Sequence, residues 1–150
     1  MQVVLFAETV LKQILEDIIA RVRATNIVKK YFNSREGHIM VMDEYVPWLD
    51  TILEIDPDEE LWYVIFPSNR GGYSCQCVPH AGDMFSKRHP IPQNWHGLSD
   101  EEFQRASGIP DARWCHNNGF LMTTETLDSA IGLAKKSRRN VICAPCVSRK

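Results

Sequence analysis

The sequence predicts an α+β domain with a long amino-terminal helix, a mainly antiparallel sheet with a central hairpin, and two further helices. Three observations support this. Apolar residues recur with helical spacing near the start, two strand-like runs flank a turn in the middle, and a helix-capping pattern precedes each of two later segments. A chain of 150 residues is long enough to bury one self-sufficient core.

The amino-terminal helix is predicted from Val3 to Phe32, where no Gly or Pro occurs. Its apolar stripe recurs at steps of three and four: Ala7, Leu11, Ile14, Ile18 and Val22. The helix would be about 45 Å long at 1.5 Å per residue, with Asn26 as a plausible break. We assign residues 1–34 to this helix and expect it to lead to a missing upstream domain or to pair with another subunit.

The central hairpin is predicted from Leu61–Phe66 and Tyr73–Val78, joined by turn residues Pro67–Gly72. In the second strand Tyr73, Cys75 and Cys77 alternate with Ser74, Gln76 and Val78, so the two sets face opposite sides of the sheet. A short strand at 38–42 precedes the hairpin and is followed by a loop through Pro47, which is incompatible with regular sheet pairing.

The second half of the domain begins with an irregular, proline-containing loop from Pro79 to Leu98. Ser99 and Glu102 have the spacing of a capping box, and Thr124 is expected to cap a last helix. Short strands at 113–116 and 120–122 lie between these helices. We therefore assign residues 35–140 to one α+β domain and 141–150 to a basic tail.

Composition limits the function classes. With 17 basic and 19 acidic side chains the net charge is −2, so nucleic-acid binding would need a local basic patch. No apolar run approaches the roughly 20 residues that cross a bilayer, and no secretory leader is recognisable. We expect an intracellular protein without membrane contact, whose five cysteines are reduced thiols.

Catalytic and metal motifs are not recognisable, so we predict no catalytic residue and no metal ligand in this chain. The acidic segment Glu54–Glu60 is interpreted as a surface loop. Cys143 and Cys146 have zinc-pair spacing, and Cys75 with Cys77 would complete four sulfur ligands. Small core thiols are the favoured interpretation, with a zinc-stabilised regulatory domain as the alternative.

One loop combines cations with aromatic side chains. Lys87 and Arg88 follow Phe85, and Trp95 comes shortly after, a composition suited to phosphates and stacked bases of a single strand. The alternative is that both aromatic residues anchor the loop on the sheet and Arg88 pairs with a carboxylate. His116 is either a hydrogen-bonded turn histidine or an acid–base group.

Several segments together resemble the C-terminal part of the MYG family (melanocyte proliferating gene), also called metal-dependent protein hydrolases. The order and spacing match from about Tyr45 to Ala134. The matching segments are Val46–Trp48, Gly72–Tyr73, Gln76–Pro79, Phe85–Arg88 through Pro92 to Trp95–Leu98, Asp100–Glu102, Ser107–Pro110 and His116–Phe120. Thr123-Thr124 stands where a second glycine pair often follows in the family.

The resemblance implies a function for this chain within a longer protein. Members carry an N-terminal half similar to DHH phosphoesterases, which holds divalent metal (Mn or Mg), and a 3′-to-5′ exoribonuclease activity in the nucleus and mitochondria is attributed to them. No Asp-His-His sequence occurs here. We therefore predict an accessory C-terminal domain, inactive alone, that serves a DHH-like catalytic domain in cis or in trans.

The ligand implied is single-stranded RNA or another phosphate-containing substrate. The predicted substrate-binding residues are Arg70, Gly72, Lys87, Arg88, Trp95, His116 and Gly119. Among these, Lys87 and Arg88 correspond to a phosphate grip and 116–119 to a substrate-facing turn. The alternative function is a free-standing protein-interaction or oligomerisation module, in which the amino-terminal helix forms a homo-oligomer.

Overall fold

A computed structural model describes residues 1–140 of the chain. Its elements, in chain order, are α1 (Gln2–Asn33), β1 (Ile39–Val41), α2 (Leu49–Ile55), β2 (Tyr63–Pro67), β3 (Tyr73–Cys77), a 3₁₀ turn (Gln93–Trp95), α3 (Asp100–Ser107), β4 (Ala112–Cys115), β5 (Leu121–Thr124) and α4 (Leu127–Asn140). The α+β class and the long first helix are confirmed. The basic tail at 141–150 lies outside the described residues, and the division into domains stays a prediction.

The five strands form one sheet in the order β1-β2-β3-β5-β4. Strands β2 and β3 form the predicted hairpin, with Tyr63 opposite Cys77 and Pro67 opposite Tyr73. The sheet is mainly antiparallel as expected, since only β1 pairs in parallel with its neighbour. The hairpin supplies the central strand β3 and one flanking strand.

Hydrophobic core residues lie on both faces of the sheet, but helices cover one face more completely than the other. On one face Tyr63, Cys75 and Met122 pack against α3 and α4, including Phe103 and Leu133. The alternation predicted for β3 is confirmed, because Cys75 and Cys77 are both buried on this face.

On the other face, the β1–β2 half packs against α2 and the last turns of α1, where Val64 meets a cluster that includes Val28 and Ile52. The remaining half, formed by β3, β5 and β4, borders open clefts, and no helix in residues 1–140 covers it. This open half of the sheet is where a ligand has access to the fold.

Helix α1 is unbroken, so the break expected at Asn26 is absent. Its 32 residues span about 48 Å. Residues 1–23 are exposed throughout, including the apolar stripe, and packing against the domain begins at Ala24. Within the described residues, no helix combines the length and apolar character needed to span a membrane.

Helix α2 occupies a segment for which the sequence predicts a loop and a surface acidic stretch, so that prediction is wrong here. Its seven residues are too few for a clear periodic pattern, but Ile52 is fully buried and Leu49 packs beside it. The helix ends at Asp56, whose side chain is also buried. Within residues 1–140, three α-helices therefore follow α1 instead of the two expected.

The helix caps also differ from expectation. Ser99 occupies the N-cap of α3, but its side chain makes no capping hydrogen bond. Thr124 stays in β5, and α4 begins three residues later. There the Thr126 hydroxyl donates to the Asp111 carboxylate at 2.8 Å and accepts the backbone N–H of Ser129 at 3.4 Å. The capping role belongs to Thr126 because Thr124 is still the last residue of β5.

Candidate functional site

The open half of the sheet forms the floor of a broad cleft of about 640 Å³, here called the sheet cleft. Ser74 on β3 pairs with Thr123 on β5, and Thr123 pairs in turn with Trp114 on β4. Phe66, opposite Ser74 on β2, continues this row of side chains. The cleft therefore combines hydroxyl groups with aromatic rings on a rigid strand surface.

Two guanidinium groups border the sheet cleft. Arg70 is exposed at the β2–β3 turn, and Arg113 on β4 pairs with Glu125 at 2.9 Å while remaining partly exposed. Tyr45 adds an aromatic ring whose edge meets Phe66 with 5.1 Å between ring centroids. Arginines beside accessible aromatic rings are the combination that single-stranded nucleic acids require.

A second cavity of about 530 Å³, here called the loop pocket, lies between the strands and the 79–98 loop. Gln76 reaches it from the sheet, Phe85 and Lys87 reach it from the loop, and the β4–β5 turn contributes Asn117, Asn118 and Phe120. Its size is within the range of small-ligand pockets, roughly 300–1,000 Å³.

The two cavities belong to one surface. Ser74 in the sheet cleft and Gln76 in the loop pocket are successive positions on the same face of β3. A smaller cleft around Tyr45 and Leu49 also includes Gln76 and so connects them. We call this continuous area the open face.

Lys87 and Arg70, both predicted to bind substrate, lie on the open face, in the loop pocket and the sheet cleft respectively. Arg113, Trp114 and Gln76 were not predicted as site residues. Gln76 lies between the buried Cys75 and Cys77, which is a usable pattern, but Arg113 and Trp114 are consecutive at a bulge in β4 and neither is buried. The sequence also does not reveal which half of the sheet face stays uncovered.

His116 is a turn residue in this structure. Its Nδ1 accepts the backbone N–H of Asn118 at 3.0 Å, and its ring packs against Phe120 with 4.4 Å between centroids. The hydrogen-bonded turn histidine is thus the alternative that the geometry supports. Asn117 and Asn118, rather than His116, line the loop pocket.

Close packing explains why positions 72 and 119, both predicted to bind substrate, are occupied by glycine. Gly72 has φ +72°, and a Cβ there would collide with the backbone carbonyl of Thr124 on β5. Gly119 has φ +60°, and a Cβ there would collide with the His96 ring, whose Nε2–H donates to the Ile91 carbonyl at 3.0 Å. Both glycines allow close approaches within the fold, and neither is among the residues that line the sheet cleft or the loop pocket.

The prediction that Arg88 grips phosphate is wrong for this structure. Its guanidinium donates to Asp56 Oδ2 at 2.5 Å and to the carbonyls of Pro79 and Leu61, and only 1% of the side chain is exposed. The stated alternative, pairing with a carboxylate, is correct. The acidic segment looked like a solvated loop, so its buried carboxylate was not recognisable from sequence.

Trp95 and Phe85 differ in their exposure to solvent. Trp95 is 1% exposed, its indole N–H donates to the carbonyl of Ala106 at 3.2 Å, and Phe103 packs against its ring, so it is a core residue rather than a stacking platform. Phe85 is 95% exposed, so the expectation that it anchors the loop is wrong. It remains available to a ligand.

Cys77 lies at the edge of the loop pocket but is not an activated nucleophile. Burial raises the pKa of its thiol to about 12, an effect that the nearby Lys87 charge opposes only in part. Its Sγ is 3.7 Å from the Gly119 carbonyl, as expected for a protonated donor. The group therefore helps to hold the turn instead of attacking a substrate.

Within residues 1–140, no group of three or more His, Cys, Asp or Glu side chains is arranged to hold an ion. Cys75 and Cys77 are buried thiols, and their proposed zinc partners Cys143 and Cys146 lie outside the described residues.

Comparison with known proteins identifies the family. The model of the MYG1 exonuclease family, described as uncharacterised protein family UPF0160, matches residues 1–137. The chain belongs to the MYG1 family. Among MYG1 relatives, the "MYG1 exonuclease" of Homo sapiens is 31% identical over 93 residues, covering 59% of this chain and 25% of the relative.

Two further MYG1 relatives agree with this assignment. The "MYG1 exonuclease" of Rattus norvegicus is 32% identical over 59% of this chain and 24% of its own length, and the "MYG1 protein" of Dictyostelium discoideum is 29% identical over 67% and 32%. The chain thus spans about a quarter to a third of these relatives. No solved structure matches it significantly.

Proposed function

We propose that this chain is a substrate-binding, accessory C-terminal domain of a MYG-type nucleic-acid hydrolase. The observation that carries the proposal is the open face, where Arg70, Arg113 and Lys87 surround a strand surface with accessible aromatic rings. The relatives named exonuclease make a nucleic-acid strand the substrate class that fits this surface.

The proposed action of the domain is to position its ligand. Guanidinium and ammonium groups attract the phosphates of single-stranded RNA, while strand residues fix its direction, and this ordering lowers the entropic cost of the reaction. The divalent metal chemistry that the resemblance implies is assigned to a DHH-like catalytic domain, in cis or in trans. From the same resemblance we propose a location inside the cell, in the nucleus, the mitochondrion or the cytoplasm.

The experiment is a fluorescence anisotropy titration of the 150-residue protein with labelled single-stranded RNA at several salt concentrations. We expect Arg70→Ala and Arg113→Ala each to weaken binding and to reduce the salt slope by about 0.7, as for one lost phosphate contact. The matched control is Lys135→Ala on α4, where Lys135 pairs with Glu36 at 3.0 Å away from the open face. Equal effects of all three variants would contradict the proposal.

The division of labour is tested separately by incubating the purified protein with single-stranded RNA and manganese. We expect no hydrolysis. If the chain cleaves the RNA, and His116→Ala abolishes the cleavage, then the chemistry resides in this chain and the accessory role is wrong.

A second candidate function is oligomerisation through α1. The exposed apolar stripe from Ala7 to Val22 points about 100° away from the face on which Ala24 and Val28 meet the domain, at 100° per residue. The stripe is therefore not an extension of the domain's own contact face, and it needs a separate partner to bury it.

A second copy of the chain, antiparallel to the first, fits the charges beside this stripe. Glu8, Lys12, Glu16 and Arg23 lie along one flank of α1. In an antiparallel pair centred near Leu15, Glu8 comes within about one turn of the partner copy's arginine at position 23, and Lys12 of its glutamate at position 16.

Light scattering coupled to size exclusion distinguishes the two candidates. A dimer that Ile14→Asp converts to a monomer, with the domain still folded, supports pairing through α1. A wild-type monomer at all concentrations refutes it and leaves the accessory role, in which α1 contacts the catalytic domain.

A further inference from the structure

We propose that the loop pocket binds a single unstacked nucleobase of the strand that occupies the open face. The inference rests on the proposed function, because it requires that the open face binds nucleic acid. It adds a specific subsite and the chemical class of its occupant, based on one exposed aromatic ring, a group of amide side chains and one ammonium group.

The exposed ring belongs to Phe85, at the rim of the loop pocket. Hydrogen bonds order the backbone around it. The Ser86 hydroxyl accepts the backbone N–H of His80 at 2.9 Å and donates to the Asp83 carbonyl at 2.6 Å, and Asp83 Oδ1 accepts the N–H of Phe85 at 3.1 Å. The loop is thus fixed by its own polar groups, and the phenyl ring is left free to stack on a base.

The lining of the pocket also includes three amide side chains. Gln76 lies on the floor, and Asn117 and Asn118 lie on the turn. Within residues 1–140, no protein hydrogen bond engages the side-chain amide of any of the three. An amide carries both a donor and an acceptor, as the edge of a nucleobase does, so these groups are suited to a flat, polar-edged ring.

Phe120 adds a half-buried aromatic wall, and Lys87 supplies the charge that the phosphate of the same nucleotide requires. From this pocket the sheet cleft begins two residues along β3, about 7 Å away. A short single strand therefore places one base in the loop pocket while its neighbours cross the sheet cleft toward Arg70. A free phosphate ion would use Lys87 but would leave the aromatic ring and the amides unused.

The test compares two labelled six-nucleotide RNAs, oligoadenylate and the same strand with abasic riboses, bound to the 150-residue protein in an anisotropy assay. We expect Phe85→Ala to weaken oligoadenylate binding about 5- to 100-fold, the usual effect of losing one base stack. The abasic strand should be insensitive to this substitution, and Phe85→Tyr should retain oligoadenylate affinity.

The matched control is Phe6→Ala, because Phe6 is also an exposed phenylalanine, 71% accessible, but lies on α1. It should leave both affinities unchanged. Equal affinity for the two strands, or no effect of Phe85→Ala on oligoadenylate, overturns the base pocket while the open face still binds RNA. If neither strand binds, the proposed function itself fails.

Discussion

Replacing Arg88 with leucine is expected to lower the free energy of unfolding by about 3–5 kcal/mol, because it leaves the Asp56 carboxylate buried without its counter-charge. Both side chains are almost fully enclosed, Arg88 at 1% and Asp56 at 3% exposure. Asp56 also accepts the backbone N–H groups of Glu60 and Leu61 at 3.1 and 2.9 Å. The pair thus joins the end of α2, the approach to β2 and the 79–98 loop.

The magnitude is large against the whole domain, because folded domains are stable by only about 5–15 kcal/mol. Urea denaturation gives the change directly, and the midpoint of thermal unfolding should fall by about 6–20 °C. Lys87→Leu is the matched control, since the neighbouring lysine has no carboxylate partner in residues 1–140 and should change stability by less than about 0.5 kcal/mol.

The same two variants separate a structural from a binding role. If Arg88→Leu unfolds at the wild-type urea concentration but weakens RNA binding, the guanidinium serves the ligand and the interpretation of the buried pair is wrong. A double variant, Asp56→Leu with Arg88→Leu, should recover part of the loss, because no unpaired charge then remains in the interior.

Further predictions concern packing, pH and thiol chemistry. Gly72→Ala should lower the free energy of unfolding, measured by urea denaturation, by about 1–3 kcal/mol more than Gly71→Ala. Both glycines have positive φ, but only at Gly72 would an added Cβ collide with backbone atoms. Equal losses would contradict this. Burial, and to a smaller extent repulsion from a nearby histidine, lowers the pKa of His89. The free energy of unfolding should therefore have its full value above pH 6.5 and decline as the pH falls through the folded-state pKa. The same decline in His89→Gln would refute this assignment. Burial raises the pKa of Cys77 and Cys115 to about 12, so native protein at pH 8 should resist iodoacetamide at both, as read by mass spectrometry; rapid labelling without unfolding would contradict the burial.

The local parts of the fold were predictable from sequence because their patterns are short-range. The alternation in Tyr73–Cys77 correctly predicts the two faces of β3, and helical spacing correctly predicts α1. Helix α2 was missed because its seven residues make less than two full turns, too few to show a helical period.

The candidate site was less predictable, because it depends on contacts between distant segments. Arg88 and Asp56 are 32 positions apart, and neither residue indicates from sequence that both will be buried together. Trp114 and Gln76 are accessible because no helix within residues 1–140 packs over their part of the sheet, and no local sequence pattern encodes which part the helices cover. The combination of cations and aromatic residues in one loop pointed to Lys87, which lines the loop pocket, and equally to Arg88, which is buried; the binding role of Lys87 stays a prediction.

Because α1 is continuous, the orientation of its amino-terminal end is fixed relative to its carboxy-terminal end. The last turns are held by Val28 in the core, and no break separates them from the stripe around Leu11. Inserting one residue between them would rotate the stripe by about 100° and advance it 1.5 Å, whereas four would nearly restore its azimuth. A partner bound at the amino-terminal end of α1 is therefore held in a fixed orientation relative to the sheet.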